Sequence, residues 1–173
     1  MSKIGIISGS FDPITNGHVY LIKRAIDTLG PDGQLVIVVA YNPNKIGYFC
    51  PSDRMNQIDR VLRGELQSHQ YSRIRIEFVC DQYTAAYAKS VGATVMFRGI
   101  RNSTDFEYEA DIQEINQKIN PELETIYFIA PLEYKGISSS TVRGLVGFNG
   151  WEDLLMHYVQ PFIIKEFKEK EGL

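Results

Sequence analysis

Residues that can bind a phosphate group follow the first apolar run of the chain. Gly9 has no side chain to block the approach of a phosphate, and Ser10 offers a hydroxyl and a backbone N–H group. We expect His18 in the first turn of a helix, where the backbone N–H groups and the helix dipole already favour an anion. The pattern predicts a phosphate site. Taken alone, Gly9 also fits a tight turn, and His18 also fits a partly exposed helix position.

Charged residues follow later apolar runs. Lys45 comes after residues 35–40, where its spacing fits a loop charge as well as a ligand. Arg98 comes directly after residues 94–97, so we expect it at the end of a buried strand, a place that favours a functional role. Glu109, further along, also fits an exposed helix position with no function.

The elements that must position these residues alternate between strands and helices. Apolar runs predict five strands, at residues 4–7, 35–40, 74–79, 94–97 and 125–130. Helical spacing and start signals predict helices near residues 17–29, 52–66, 84–91 and 161–173. Two further helices are predicted from their starts, one from the capping-box pattern at residues 104–107 and one from the serine run 138–140.

This alternation predicts an α/β fold with a doubly wound, five-stranded parallel sheet and helices on both faces. The ligand site of such a sheet lies at the carboxyl ends of its strands. We expect one domain over residues 1–173, with residues 151–173 as a short C-terminal helical segment.

The composition excludes several classes of protein. Of the 173 residues, 44% are hydrophobic and 23% are charged, which is typical of a globular domain. The 18 Lys and Arg against 21 Asp and Glu give a net charge of −3, whereas a broad nucleic-acid or membrane surface needs an excess of basic residues. We therefore expect neither a nucleic acid nor a membrane as a partner.

Three features bear on the cellular compartment. No apolar run approaches the ~18 residues that a membrane-spanning helix needs, and the first residues lack a signal-peptide pattern. Cys50 and Cys80 lack the spacing of a metal or redox site, so we expect a reduced chain with one buried and one incidental thiol. Together these features predict a cytoplasmic protein.

Two motifs identify a superfamily. Neither a Walker A loop nor a G-x-G-x-x-G loop occurs in the sequence, which removes the two commonest phosphate loops. Thr15-x-Gly17-His18 instead resembles the [H/T]-x-G-H motif of the α/β nucleotidyltransferases. Residues 137–143 resemble the second motif of that superfamily, I-S-S-T-x-x-R, with serine in the threonine position.

Within the superfamily the chain resembles the pantetheine-phosphate adenylyltransferase family from end to end. The resemblance is carried by residues 9–18, 42–45 with Phe49, 98–101, 105–109, 121–124 and 137–140. It implies reversible transfer of AMP from ATP to 4′-phosphopantetheine, which gives dephospho-CoA and pyrophosphate in coenzyme A synthesis. It also implies a homohexamer.

The resemblance assigns roles to single residues. As catalytic residues it implies His18, which stabilises the transition state, Lys45, which bridges the attacking phosphate and the α-phosphate, and Arg98, which holds the pantetheine phosphate. The ATP-binding positions it implies are Ser10, Phe11, His18, Gly99, Ile100, Arg101, Glu109, Tyr134, Lys135, Gly136, Ile137, Ser138, Ser139 and Ser140. The substrate-binding positions it implies are Ser10, Lys45, Thr84 and Arg98.

The chemistry of this reaction fits these residues. An ionised phosphate monoester is its own nucleophile, so the protein must align two anions and stabilise charge rather than supply a general base. The sequence offers no carboxylate cluster for a dedicated metal site, and we expect Mg²⁺ to be held mainly by the phosphates of ATP.

Departures from the family pattern leave two alternatives open. Ile7-Ser8 replaces a Tyr-Pro pair, and Lys135-Gly136 replaces a Ser-Phe pair, so an aromatic side chain beside the adenine pocket is lost. One alternative is another small nucleotidyltransferase, of the nicotinate-nucleotide or cytidylyltransferase type. The other is a module that binds ATP without transferring it.

Overall fold

The computed structural model describes residues 2–41 and 46–172. Within them lie five strands: β1 (Ile4–Gly9), β2 (Gln34–Ala40), β3 (Ile74–Val79), β4 (Val95–Ile100) and β5 (Glu124–Ile129). All neighbouring strands are parallel, in the order β3-β2-β1-β4-β5. The predicted α/β fold with a doubly wound parallel sheet is confirmed.

Helices cover both faces of this sheet. Over the described residues they are α1 (Asn16–Thr28), α2 (Pro51–Glu65), α3 (Ser68–Tyr71), α4 (Thr84–Ser90), α5 (Ser103–Ile119), α6 (Leu132–Lys135), α7 (Ser139–Leu145), α8 (Trp151–Leu155) and α9 (Pro161–Glu171). Successive strand residues point to opposite faces. Ile7 therefore packs in one apolar core with Ile22 of α1, while its neighbour Ile6 packs in a second core with Ala85 of α4.

The order of the strands reverses beside the central strand. From β1 the chain moves outward to β2 and β3, then crosses back to β4 and β5 on the other side of β1. The crevice between the carboxyl ends of β1 and β4 is where sheets of this type bind ligands. Gly9 ends β1 and Ile100 ends β4, so the segments with predicted site residues flank this crevice.

Two local predictions were wrong. β4 does not end at Phe97 but continues to Ile100, because β5 keeps pairing with it as far as Ile129. Arg98 therefore lies within the strand. Helix α5 starts before the predicted capping box, because the side chain of Asn102 accepts the N–H group of Asp105 at 2.8 Å and caps the helix there.

The C-terminal segment packs back onto the domain through its apolar side chains. Trp151 of α8 lies edge-on to Phe167 of α9, with ring centroids 6.3 Å apart, and both are buried. Cys50 and Cys80 are both exposed, so the expectation of one buried thiol was wrong. None of the helices over the described residues combines the length and the apolar character that crossing a bilayer takes.

Candidate active site

A cavity of about 280 Å³ lies at the strand-order reversal, with walls from the ends of β1, β4 and β5 and the starts of α1 and α7. Small-ligand sites usually begin near ~300 Å³. Most positions that the sequence predicted for ATP or substrate line it: Ser10, Phe11, His18, Arg98, Gly99, Arg101, Glu109, Tyr134, Ile137, Ser138, Ser139 and Ser140. The fold thus gathers residues from distant parts of the sequence into one site.

His18 is held by a capping box at the start of α1. Thr15 is the N-cap residue, and its hydroxyl accepts the N–H group of His18 at 3.4 Å. In return, the Nδ1 atom of His18 accepts the backbone N–H of Thr15 at 3.0 Å. A histidine thus takes the place that glutamate or glutamine usually has in this motif. Because Nδ1 is an acceptor, the neutral ring carries its proton on Nε2 and can donate a hydrogen bond from there.

The surroundings of His18 favour its neutral form. Burial of the ring, and secondly the positive charge of Arg101, lower the pKa of His18 to about 4. The ring also contacts the buried Phe11, with centroids 4.9 Å apart. At neutral pH the site therefore contains a fixed, uncharged hydrogen-bond donor.

In the loop after β1, Gly9 and Phe11 are tightly packed while Ser10 is exposed. Phe11 adopts a left-handed backbone conformation, with a φ of 45°, while its ring is 1% exposed. A Cβ atom on Gly9 would lie 3.2 Å from that ring, closer than packed carbon atoms approach comfortably. A side chain at position 9 would therefore press against the ring of Phe11. Ser10 is exposed and lines the cavity.

Asp12 fastens this loop to the segment that follows the undescribed residues 42–45. Its carboxylate accepts the backbone N–H groups of Tyr48 and Phe49, each at 2.8 Å. It also lies 3.3 Å from Nε of Arg54, and both side chains are almost fully buried. Arg143 of α7 adds a hydrogen bond to the backbone carbonyl of Asp12. A buried carboxylate with this set of partners fixes three separate segments around the cavity.

Arg98 forms an ion pair with Glu109 across the cavity wall. Its Nε atom lies 2.6 Å from Oε2 of Glu109, its Nη2 atom donates to Oε1, and its Nη1 atom donates to the carbonyl of Ser8 at 2.7 Å. The guanidinium group has five N–H donors. Arg98 therefore keeps donors for a ligand while its orientation is fixed.

Arg101 is oriented in the same way by a different carboxylate. Its Nε and Nη2 atoms donate to Asp105 at 2.8 and 3.0 Å, and Nη1 donates to the carbonyl of Ile137 at 3.3 Å. The hydrogen bond from Arg101 holds the pKa of Asp105 below its usual range, so Asp105 stays ionised. This pair joins the start of α5 to the segment before α7.

The serine run at residues 138–140 both lines the cavity and holds the start of α7 in place. Ser138 caps α7 by accepting the N–H group of Thr141 at 3.0 Å. The buried Ser139 donates to the carbonyl of Pro13 at 2.8 Å and so ties α7 to the loop after β1. Ser140 is exposed and lines the cavity.

Some predicted site positions lie elsewhere. The side chain of Ile100 is buried in the protein, and Lys135 and Gly136 are exposed at the end of α6; none of the three lines the cavity. Thr84 is the first residue of α4 and does not line the cavity either. Lys45 lies outside the described residues.

Sequence reasoning missed the apolar part of the cavity. Tyr20 and Leu21 of α1, Phe128 of β5 and Ala130 just after it line this part. Their spacing carried no signal, because each belongs to an ordinary helix or strand pattern. Asp12 was missed for a related reason, since its partners are far from it in the sequence.

The cavity does not offer the side chains of a dedicated metal site. Among residues 2–41 and 46–172, no three His, Cys, Asp or Glu side chains are grouped as metal ligands would be. Glu109 lines the cavity and is paired with Arg98, and Asp105 is paired with Arg101, which also lines the cavity. The described residues therefore do not fit a metal held by the protein alone.

Comparisons with known proteins identify the family of this chain. A model of the cytidylyltransferase-like family matches residues 6–145. The phosphopantetheine adenylyltransferase of Chromobacterium violaceum is 35% identical over 157 residues, which cover 91% of this chain and 90% of that protein. The protein of the same name from Streptococcus uberis is 42% identical over 147 residues, which cover 85% and 83%.

A solved structure shows the same fold. Plasmodium falciparum nicotinic acid mononucleotide adenylyltransferase, complexed with NaAD, has a TM-score of 0.67 at 20% identity over 100% of this chain and 97% of that one. At that identity the likeness concerns the fold alone. The family model and the two relatives, however, cover most of the sequence, and the chain therefore belongs to the phosphopantetheine adenylyltransferase family of cytidylyltransferase-like proteins.

Proposed function

We propose that this chain transfers AMP from ATP to 4′-phosphopantetheine, with dephospho-CoA and pyrophosphate as products. The observation that carries the proposal is a single cavity in which His18, Arg98 and Arg101 meet, in a chain whose relatives are named phosphopantetheine adenylyltransferases. An oxygen of the acceptor's phosphate attacks the α-phosphorus of ATP, and the bond from that phosphorus to the leaving pyrophosphate oxygen breaks. The second pKa of a phosphate monoester is about 6, so the acceptor needs no general base.

His18 is the residue that we assign to transition-state stabilisation. Negative charge develops on the oxygens around the α-phosphorus as the new bond forms and the old one breaks. The Nε2–H group of His18 is already in position, so its hydrogen bond to these oxygens becomes stronger as the charge develops, and the protein does not have to reorganise. The capping box around Thr15 supplies the fixed position.

Arg98 and Arg101 are the residues that we assign to holding the phosphates. Each is aligned by a carboxylate and a backbone carbonyl, so a bound phosphate meets donors whose orientation is already set. Because each arginine is paired, these residues act through directed hydrogen bonds more than through net charge. We assign Arg98 to the acceptor phosphate, as the family resemblance implies.

Magnesium, in this proposal, enters with the nucleotide. Mg²⁺ is commonly bound through substrate phosphates and water with one or two carboxylates at most. The carboxylates beside the cavity are engaged by arginines, which supports binding through the phosphates of ATP. The ion would neutralise charge on those phosphates when bound.

Assembly into a homohexamer remains a proposal that rests on the family resemblance. One feature supports self-association: Tyr108, Ile112 and Ile115 follow one another at helical spacing on α5, and Tyr108 and Ile115 are 60% and 45% exposed. Sedimentation of the purified protein tests this proposal, and a monomer at micromolar concentration would contradict it.

The function is tested by incubating the purified protein with ATP, Mg²⁺ and 4′-phosphopantetheine and measuring pyrophosphate release. We expect turnover with this acceptor and little with nicotinate mononucleotide or with CTP in place of ATP. Preference for either of the latter would identify another nucleotidyltransferase. ATP binding without transfer to any acceptor would identify a binding module.

A further inference from the structure

One polar side chain of the cavity, Ser8, has no part in the assignments above. Ser8 belongs to the central strand β1, which is otherwise made of isoleucine and glycine, and it lines the cavity. It is also one of the two residues that replace a Tyr-Pro pair of the family pattern. Its hydroxyl group is therefore a departure from that pattern inside the site.

Ser8 shares a face of the sheet with Arg98. Ile6 of β1 pairs with Met96 of β4, and both pack in the same apolar core. Because residues two apart in a strand point the same way, Ser8 and Arg98 follow them on this face. Asn116 of α5 lies 3.8 Å from the sulfur of Met96, so α5 covers this face.

His18 approaches the cavity from the opposite face. Ile7, the neighbour of Ser8 in β1, packs in the other core with Ile22 of α1, the helix whose first turn contains His18. The cavity thus receives Ser8 and Arg98 from one face of the sheet and His18 from the other. Since Arg98 is assigned to the acceptor phosphate, Ser8 lies on the acceptor side of the site.

Both oxygens of Ser8 lie against the guanidinium group of Arg98. The carbonyl of Ser8 accepts Nη1 of Arg98 at 2.7 Å, and Oγ lies 3.4 Å from the same nitrogen. A serine hydroxyl also has one O–H donor, and arginine has no acceptor for it. None of residues 2–41 and 46–172 accepts a hydrogen bond from this hydroxyl. The O–H group is therefore available to an anion bound beside Arg98.

We propose that Ser8 is an acceptor-binding residue whose hydroxyl donates a hydrogen bond to the phosphate of 4′-phosphopantetheine that Arg98 holds. The inference rests on the proposed function, because that function makes the ligand of Arg98 a phosphate monoester. A hydrogen bond to an ionised acceptor is roughly twice as strong as one between neutral groups, so the hydroxyl contributes measurably to affinity. ATP gains little from it, since Ser8 lies on the acceptor side.

The test compares affinity for 4′-phosphopantetheine with affinity for ATP, both measured by calorimetry. We expect Ser8→Ala, which keeps the carbonyl that binds Arg98, to weaken 4′-phosphopantetheine binding about tenfold and to change ATP binding by less than about twofold. Ser8→Thr returns the hydroxyl on a side chain that suits a strand and should restore affinity. Ser68→Ala, which removes an exposed hydroxyl outside the cavity, is the matched control.

A second comparison separates contact with the phosphate from orientation of Arg98. Arg98→Lys keeps the positive charge and removes the guanidinium group that Ser8 contacts. In that background Ser8→Ala should still weaken 4′-phosphopantetheine binding by a similar factor, because the hydroxyl contacts the phosphate itself. Loss of the effect would show that Ser8 acts only through Arg98 and would overturn the proposal.

Three further results would also overturn it. Unchanged 4′-phosphopantetheine affinity in Ser8→Ala would show that the hydroxyl makes no contact, and equal weakening of both ligands would show a general disturbance of the site. A Ser8→Thr protein as weak as Ser8→Ala would show that the shape of the residue matters rather than its hydroxyl. A wild-type protein that binds 4′-phosphopantetheine but fails to transfer AMP would overturn the proposed function alone, because the titrations need no turnover.

Discussion

Arg98 and Glu109, which the family resemblance assigns to different substrates, form a paired hydrogen-bond contact with each other. Nε of Arg98 donates to Oε2 of Glu109 at 2.6 Å, and Nη2 donates to Oε1. Their side chains are 19% and 11% exposed, so the pair is largely shielded from solvent. Glu109 therefore fixes the direction in which Arg98 presents its remaining donors.

This relationship predicts that Glu109 acts on the acceptor through Arg98. We expect Glu109→Gln to raise the KM for 4′-phosphopantetheine about tenfold, or ~1.4 kcal/mol, because the amide cannot accept both guanidinium donors. The KM for ATP should change less. Glu107→Gln, at an exposed position of the same helix, is the control and should leave both KM values unchanged. A larger rise in the KM for ATP than for the acceptor would instead place Glu109 in direct contact with the nucleotide.

Asp12 is expected to be the most costly carboxylate to remove. Asp12→Ala leaves two backbone N–H groups without their acceptor and Arg54 without its nearest carboxylate, all in a buried region. Removing one partner of a buried ion pair costs about 3–5 kcal/mol, which urea unfolding would measure. Asp32→Asn, at an exposed turn, should change the free energy of unfolding by less than about 0.5 kcal/mol. A similar small effect for Asp12→Ala would contradict the assigned structural role.

The hydroxyl of Thr15 is expected to matter for rate as well as for stability. Thr15→Val keeps the shape of the buried side chain but removes the N-cap acceptor, which costs about 1 kcal/mol of stability. The ring of His18 then loses one of its fixed neighbours, and we expect kcat to fall roughly tenfold through misalignment. Thr15→Ser restores the hydroxyl and should restore both quantities. Equal rates in all three proteins would mean that the backbone of Thr15 alone positions the histidine.

Local patterns predicted much of the fold. Residues 35–40 are apolar throughout, as expected of a strand that is covered on both faces, and β2 is indeed a buried interior strand of the sheet. The placement of the site followed from the parallel sheet, because strand ends meet at one edge. Predictions of this kind depend only on residues that are close together in the sequence.

Two residues were misjudged for a different reason, which is compensation of their charge by a partner elsewhere in the sequence. A charge normally ends an apolar strand, but β4 keeps pairing with β5 beyond Arg98, and Glu109 and the carbonyl of Ser8 compensate the charge of its side chain. Asp12 precedes a proline and resembles a turn residue, yet it is buried because Arg54 lies against it. No local pattern records such pairings.

His18 is expected to affect transfer far more than nucleotide binding. Its Nε2 donor acts on charge that develops in the transition state, so His18→Ala should lower kcat about 100- to 1000-fold. ATP affinity, measured by calorimetry, should stay within about twofold of the wild-type value, because such a donor contributes little in the ground state. His69→Ala, at an exposed position outside the cavity, is the control. If His18→Ala lowered ATP affinity and kcat by the same factor, the assignment of His18 to transition-state stabilisation would be contradicted.

The pH dependence offers a separate test of the state of His18. Its pKa is lowered from 6.5 to about 4, so the folded protein holds the ring neutral while the unfolded chain protonates it near pH 6.5. The stability that this difference contributes is complete above pH 6.5 and is lost as the pH falls towards 4. We therefore expect no inflection from His18 in kcat between pH 5 and 8, and an NMR titration in which the His18 ring stays neutral throughout that range. An imidazolium signal from His18 at pH 6 would show that a cation, rather than a neutral donor, faces the substrates.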